Sequence, residues 1–517
     1  MALQLDTTSY WIDSTSLPTF SRLEHDTRVD VVVVGGGITG LTAAYLLVAA
    51  GRSVAVLERA RCADIDTGHT SAHLTMVTDL PLAKLVSSFG RDHAQAVWDA
   101  GCAAIAQIDT LVREEEIDCD FDWVPGYLHA AVEEGRAVDA DSLREEAALA
   151  SELGFDAIFV DDVPLVHGPG VMVKDQARFH PLNYLAGLAR AIVARGGHIY
   201  EHTDAKEFSD DPRTVTANGR EISCEHIVLA THNPLVGNRS LAGATLFQTK
   251  LALYTSYVVA GRIAKGIVPD ALLWDTADPY HFFRIEPRSD HDLVIYGGED
   301  HKTGQADDTA ECYERLEGAV RALVPGIDVT HRWSGQVIET PDGLPYIGET
   351  ADHQFAATGF SGNGMTFGTL GGMMAADHVL GRGNPWSDLF DPGRRKLRHA
   401  AWDYLRENKD YPYYLIRDRF AGVEERSLRA VKRGEGKIIE YGGEQVAAYR
   451  DEAGASIVRS AICTHMGCLV DWNEAERTWD CPCHGSRFKP NGAVIAGPAE
   501  APLALVKKKG QSSEKAP

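Results

Sequence analysis

Val31-Val-Val-Val34-Gly35-Gly-Gly37-Ile-Thr-Gly40, with the apolar run 41–50 behind it, sets the architecture of this chain. Four β-branched residues after the polar Asp30 read as a strand buried on both faces, as in a parallel sheet. The glycines then turn the chain into a helix. Gly35-x-Gly37-x-x-Gly40 has the spacing of a dinucleotide-binding turn: Gly35 for the turn, Gly37 for approach of a pyrophosphate, Gly40 for packing of helix on strand. Val54-Ala-Val-Leu57 is a second apolar strand, closed by Glu58 about 20 residues on, where a carboxylate holds a ribose 2′-hydroxyl. Amides at the helix N-terminus would face the phosphates. A glycine-rich turn with no ligand is the plainer alternative, against which strand, helix and acid stand together.

The 517 residues suffice for more than one domain, and 44% apolar with 24% charged residues is a soluble globular composition. The net charge, 50 − 74 = −24, argues against nucleic acid or an anionic membrane as partner. No apolar run approaches the ~18 residues of a transmembrane segment, and 1–28 carries four acids and no apolar core, so a cytoplasmic location is expected. Cys62, Cys102, Cys119, Cys224 and Cys312 are scattered and read as buried thiols. Cys463, Cys468, Cys481 and Cys483 crowd together, which points to metal or redox work.

A polar arm, 1–29, precedes the first strand. The small-residue loop 66–73 carries His69 and His73, which either touch a cofactor ring or serve the loop alone. Helical pattern fills 81–153, and strands follow in 154–174. A helix over 182–195 leads to a hairpin of 198–207 and 214–222, then to the strand 226–231, whose small Ala230-Thr231 end suits close approach to a nucleotide. Paired strands are expected at 246–260 and 280–296. Gly359-Phe-Ser-Gly362-Asn363-Gly364-Met365 opens a Gly- and Met-rich helix to about residue 380. A Pro/Gly-punctuated connector, 384–414, with a short helix over 397–406, separates 30–383 from a strand-rich region, 415–506, and a basic tail, 507–517.

Residues 30–383 resemble the flavin-dependent amine and amino-acid oxidoreductases of the D-amino-acid oxidase type. The resemblance rests on the glycine turn with Glu58, on Ala230-Thr231, on Thr340-Pro-Asp-Gly-Leu-Pro-Tyr-Ile-Gly348 and on Gly359–Gly364. It implies an α/β, Rossmann-like FAD-binding domain interleaved with an α+β substrate domain. It also implies FAD bound by Gly35, Gly37, Gly40, Glu58, Ala230 and Thr231, with Gly362, Asn363, Gly364 and Met365 near the flavin. Hydride transfer from an amine to flavin, followed by imine hydrolysis, is the family's chemistry. Substrate residues are less defined: Arg284 suits a carboxylate and Tyr254, Tyr257 and Tyr280 suit an amine, with packing the alternative for each.

Cys463-Thr-His465 and Cys481-Pro-Cys483-His484 each offer one thiolate and one imidazole, the ligand set of a Rieske 2Fe–2S centre. The region resembles a small all-β Rieske domain. That resemblance implies that Cys463 and Cys481 bind one iron, His465 and His484 the other, and that Cys468 and Cys483 form a disulfide clamping the loops. Gly497-Pro-Ala499 resembles the third loop over the cluster. A zinc knuckle is the alternative, which leaves Cys468 and Cys483 unused. Ser486 is placed to donate to a cluster sulfur, whereas Phe488 stands where high-potential members carry tyrosine, so an intermediate potential is expected.

Together these features predict an FAD-dependent dehydrogenase of a small amine or amino acid that exports electrons singly through the cluster to an external acceptor. An NAD(P)H-dependent reductase feeding a partner would need a second dinucleotide turn. A Rieske oxygenase would need a 2-His-1-carboxylate module. A non-catalytic redox sensor is the third alternative.

Overall fold

The computed structural model describes residues 7–131, 140–233, 251–306, 308–394, 427–441, 444–465 and 467–506. The chain divides into two compact units, one holding 1–251, 256–300 and 313–403, the other 252–255, 301–312 and 404–517.

The first unit is built on β1 (Val31–Val34), all four residues buried, followed by α1 (Ile38–Ala49) and β2 (Val54–Leu57). β1 pairs in parallel with β2, Val31 opposite Val54, and with the later strand β4 (His226–Leu229), Val31 opposite His226. With β3 (His198–Tyr200), β5 (Tyr346–Ala351) and β6 (Gln354–Thr358), the sheet order is β5-β6-β4-β1-β2-β3. His198–Tyr200 is thus an edge strand of the parallel sheet, opposite 55–57, rather than part of the expected hairpin, which is made by Ala205–Asp210 and Arg213–Ala217.

Helix α2 (Gly364–Val379) lies against α1. Glycine inside a helix costs about 1 kcal/mol relative to alanine. Here it permits close approach: a Cβ at Gly372 would come within 2.7 Å of Thr42 Cβ and 2.8 Å of the Thr39 carbonyl oxygen.

The hairpin of Ala205–Asp210 and Arg213–Ala217 belongs to a four-stranded sheet with Arg220–Ser223 and Thr27–Arg28, and the remaining strands form a nine-stranded mixed sheet in which Asp122–His129 lies between Gly170–Arg178 and Leu272–Asp275. That strand interrupts the region expected to be wholly helical, where the helices are Leu82–Phe89, Arg91–Glu114 and Ala140–Glu152. The stretch expected as one strand at 280–296 is a hairpin, Phe282–Pro287 against Asp292–Lys302.

The described part of the connector runs over the surface of this unit, with Pro385, Ser387, Asp388, Asp391 and Gly393 exposed. Leu389 and Phe390 anchor it by their burial, and Arg394 forks onto Asp342 at 2.7 and 2.9 Å, with its guanidinium 4.2 Å from the Tyr346 ring. The helix expected at 397–406, the tail at 507–517 and the start of the expected strand at 246–250 lie outside the described residues.

The second unit is all-β, with a three-stranded sheet of Gly436–Tyr441, Glu444–Arg450 and Ser456–Ser460 and a four-stranded sheet running from Asp471–Asn473 to Val494–Ala496. Trp479 and Phe488 are fully buried in its core, beside Cys463, Cys468 and Cys481. Residues 301–312 belong to this unit: Gln305 Nε2 donates to the Pro482 carbonyl at 2.9 Å, and Thr309 Oγ1 to Asn473 Oδ1 at 2.8 Å.

Candidate active site and candidate metal centre

The glycine turn owes its shape to backbone contacts. A side chain at Gly35 would overlap the Ala230 carbonyl, and one at Gly40 would overlap the Gly35 carbonyl. Ala230 and Thr231 therefore stand directly against the turn. Gly37 brings no side chain to cap α1; Ile38 N–H donates to Thr67 Oγ1 at 3.4 Å, and the next first-turn amides are left for an anion. Glu58 is fixed by the loop it serves: the Gly36 and Ala60 amides donate to its two oxygens, each at 2.8 Å. Burial pushes its carboxyl up against the pull of those amides, and a carboxylate so held keeps lone pairs for a ribose hydroxyl.

A histidine not singled out from the sequence ties this region together. His232 Nδ1 lies 2.7 Å from Asp66 Oδ2, and its ring stacks on Phe360 at 6.3 Å. Burial works against its charge, but Asp66 prevails and holds its pKa above the ordinary value. His69 and His73 serve their loop. His69 Nδ1 meets the Ile65 carbonyl at 2.6 Å, and His73 meets Ser71 and the Phe283 carbonyl at 3.1 and 3.4 Å. Burial holds His73 neutral, down to about 3.

At the other end, the loop 359–363 opens α2, whose N-terminus also lacks a side-chain cap. Asn363 instead donates to the Val77 carbonyl at 3.1 Å, and Met365 is buried. Gly362 has φ +79°, and the Asp79 carboxylate occupies the space its side chain would need. The Tyr280 hydroxyl donates to Asp79 Oδ2 at 3.3 Å. Desolvation, then the charge of Asp300, pushes Asp79 up to about 7.

The remaining substrate candidates are not brought to this point. Arg284 is fully buried: its guanidinium pairs with Glu286, donates to the Ala72 carbonyl at 2.6 Å, and lies over Trp11 at 5.5 Å. It presents no face to a substrate carboxylate. Tyr257 is buried edge-on against Tyr313, centroids 5.0 Å apart, and Tyr254 is half-buried in the second unit.

In the second unit two loops share one design. Cys463 N–H donates to the Cys468 carbonyl and Gly467 N–H to the Cys463 carbonyl; Cys481 N–H donates to the Ser486 carbonyl and Gly485 N–H to the Cys481 carbonyl. Both thiols are buried. The His465 and His484 rings are half-buried, centroids 4.9 Å apart at 84°. Burial pushes both imidazoles down to about 4, keeping them in the neutral form that binds a metal. The Cys463 thiol beside it, then burial, pushes Cys481 well up; an iron centre removes that proton.

Cys468 and Cys483 are joined in a disulfide. The sulfurs of Cys468, Cys481 and Cys483 lie within 4.8 Å of one another, but the bond takes two of them out of thiolate chemistry. The ligands left are two cysteines and two histidines. Gly497 lies against Gly485 and Ser486, so the third loop covers the second. Ser486 Oγ accepts from Ala499 N–H at 3.1 Å and keeps its own proton to donate, whereas Phe488 is packed in the core.

The family model described as FAD dependent oxidoreductase (DAO) matches residues 30–378, and that of the Rieske [2Fe-2S] domain matches 423–507. The chain belongs to the DAO family of FAD-dependent oxidoreductases. This flavoprotein carries its Rieske domain behind the flavin-binding part, and it is similar over nearly its whole length to YhfW of Bacillus subtilis, a protein named for a Rieske 2Fe-2S centre. YhfW is 34% identical over 502 residues, 96% of each chain. The gamma-glutamylputrescine oxidoreductase of Escherichia coli is 23% identical over 80% of this chain and 98% of its own. Glycine oxidase from Geobacillus kaustophilus shares the fold, with a TM-score of 0.57 and 20% identity over 71% of this chain and 99% of that one. The glycine turn with Glu58 fits FAD, and the two loops fit a 2Fe–2S cluster rather than zinc. No helix among the described residues is long and apolar enough to cross a membrane.

Proposed function

We propose that this flavoenzyme is a dehydrogenase of a small amine or amino acid that passes its electrons one at a time through the Rieske centre to an external acceptor. The observation that carries this reading is the presence on one chain of a flavin-binding unit and a complete Cys463, His465, Cys481, His484 ligand set. Bound FAD supplies a two-electron acceptor for hydride, and a 2Fe–2S cluster supplies a one-electron carrier.

The chain's own residues do the placing. Glu58 would hold the ribose end, the N-terminus of α1 would meet the phosphates, and Asp79 with Tyr280 stands against the loop that opens α2, beside which the flavin is expected. In the second unit the buried Cys463 and Cys481 would hold one iron and the half-buried His465 and His484 the other. The relatives' names, a gamma-glutamylputrescine oxidoreductase and a glycine oxidase, support an amine or amino acid as donor.

The test is an anaerobic titration of the purified protein with a panel of amines and with NADH, followed by visible absorption. An amine is expected to bleach the flavin and Rieske bands together, and NADH neither. Bleaching by NADH alone would make the protein a reductase, and bleaching by neither would favour a sensor.

A further inference from the structure

We propose that Asp79 and Asp300, together with Tyr280, form a receptor for the substrate's ammonium group, so that this enzyme takes a cationic amine rather than an α-amino acid anchored through its carboxylate. The proposal rests on the amine-oxidising reading above and narrows its substrate class.

Three segments distant in sequence converge here. Asp79 follows the strand His73–Leu74, Tyr280 precedes Phe282–Pro287, and Asp300 lies on Asp292–Lys302. Asp79 abuts Gly362 in the loop that opens α2. Its side chain is solvent-accessible, so a ligand can reach the carboxylate where it lies against Gly362. Tyr280 bonds to Asp79 from one side. Ser256 serves the Asp300 carboxylate, yet Asp300 Oδ1 is buried with no hydrogen-bond partner among the described residues. A buried carboxylate oxygen left in this way is costly unless a donor fills it, and an ammonium supplies three donors.

The charges around these three side chains explain which ligand fits. Asp300 faces Asp79; Glu299 and His281 face Asp300; Glu339 and both aspartates face Tyr280. His281 is already engaged, with Nδ1 3.2 Å from Asp275 Oδ2 and its ring stacked on Tyr296 at 5.7 Å. Neither Asp79 nor Asp300 is paired with arginine or lysine among the described residues. Arg284, the arginine on the adjoining strand, is spent on Glu286. A cationic amine relieves the repulsion between the two aspartates, as burial and their mutual charge already do in part by driving Asp79 up to about 7 and, chiefly by burial, Asp300 to about 6. An α-carboxylate would meet these acids and, among the described residues, no guanidinium free to pair with it.

The test uses the full-length, FAD-loaded protein. Butylamine, butanediamine and alanine of either hand are titrated anaerobically, and tert-butylamine, whose ammonium keeps three N–H donors but has no α-hydrogen to give up, is titrated as a binding probe by the flavin difference spectrum. The amines are expected to bleach the flavin where alanine does not. Asp79→Asn and Asp300→Asn should each raise the half-saturating amine and tert-butylamine concentrations about 10- to 100-fold with FAD content unchanged, the loss of one charged contact. If Asp79→Asn loses FAD, Asp300→Asn, which does not abut the loop at Gly362, carries the test.

Preferential reduction by alanine, or variants that saturate like the parent, would overturn the proposal. Binding of tert-butylamine with no amine oxidised would sink the dehydrogenase reading and leave the receptor standing. Amine reduction confined to the flavin would sink the electron relay alone.

Discussion

Gly40→Ala puts one methyl group where α1 crosses the turn that β1 feeds. The added Cβ would overlap the Gly35 carbonyl oxygen and come within 3.1 Å of Gly35 C and 3.2 Å of Val33 Cγ1. The oxygen and carbon are backbone, so neither can swing aside; α1 must lift from the sheet or the turn must open. Overpacking of this kind costs about 1–3 kcal/mol, and alanine recovers about 1 kcal/mol of it through helix propensity. The net loss of stability is therefore modest. The loss of FAD is not, because the displaced turn is the surface the pyrophosphate meets, and each 1.4 kcal/mol there weakens binding about tenfold.

Gly51→Ala provides the contrast. Gly51 follows α1 at φ +85° with open space around it, so alanine there costs about 1–2 kcal/mol of backbone strain without touching the site. The assay is flavin content after purification and the FAD dissociation constant of the reconstituted protein, set beside urea denaturation of both variants. Gly40→Ala should bind FAD more than tenfold more weakly at a stability close to that of Gly51→Ala, which should bind it normally. Equal FAD binding by the two would refute the reasoning.

Arg284→Met should destabilise the first unit by about 3 kcal/mol in denaturant, because it leaves the buried Glu286 with only Arg288, at 3.4 Å, as an ion-pair partner; a double variant with Glu286→Leu should recover most of that loss. The acid limb of kcat/KM for an amine should reflect Asp79, held up to about 7 first by desolvation and then by Asp300. Activity falls as pH drops through that value, and Asp300→Asn should move the limb to lower pH by removing the second cause, which a pH–rate profile measures. Replacing Cys468 and Cys483 by serine opens a crosslink spanning 15 residues, worth about 3 kcal/mol, and should speed loss of the visible Rieske bands on warming while the flavin band persists.

The glycine turn and the cluster loops could be read from sequence because their partners lie close along the chain. Gly36 and Glu58 meet within one strand–helix–strand unit, and each cluster loop closes on itself. The strand Asp122–His129 was hidden by Pro125 and Gly126, which break strand pattern and fall at a register shift against its neighbour, and by pairing with strands far along the chain. Arg284 invited a substrate role only when read alone. Glu286, two residues on, shares its face of the strand, and that period-two spacing was the available signal for an internal pair. Nothing local marks Asp79. Its setting is made by residues 280, 300 and 362, which only the folded sheet brings near.

The most direct measurement of the flavin-to-cluster connection is an anaerobic single turnover with a limiting amine, recording flavin absorbance and the reduced-cluster electron paramagnetic resonance signal together, in the parent protein and in His484→Cys. In the parent, the cluster signal should grow at the expense of reduced flavin within the turnover. In His484→Cys, where the iron loses an imidazole ligand and its potential falls, the amine should still bleach the flavin and the cluster should stay oxidised. A parent protein whose flavin bleaches fully while its cluster remains oxidised throughout would contradict the relay.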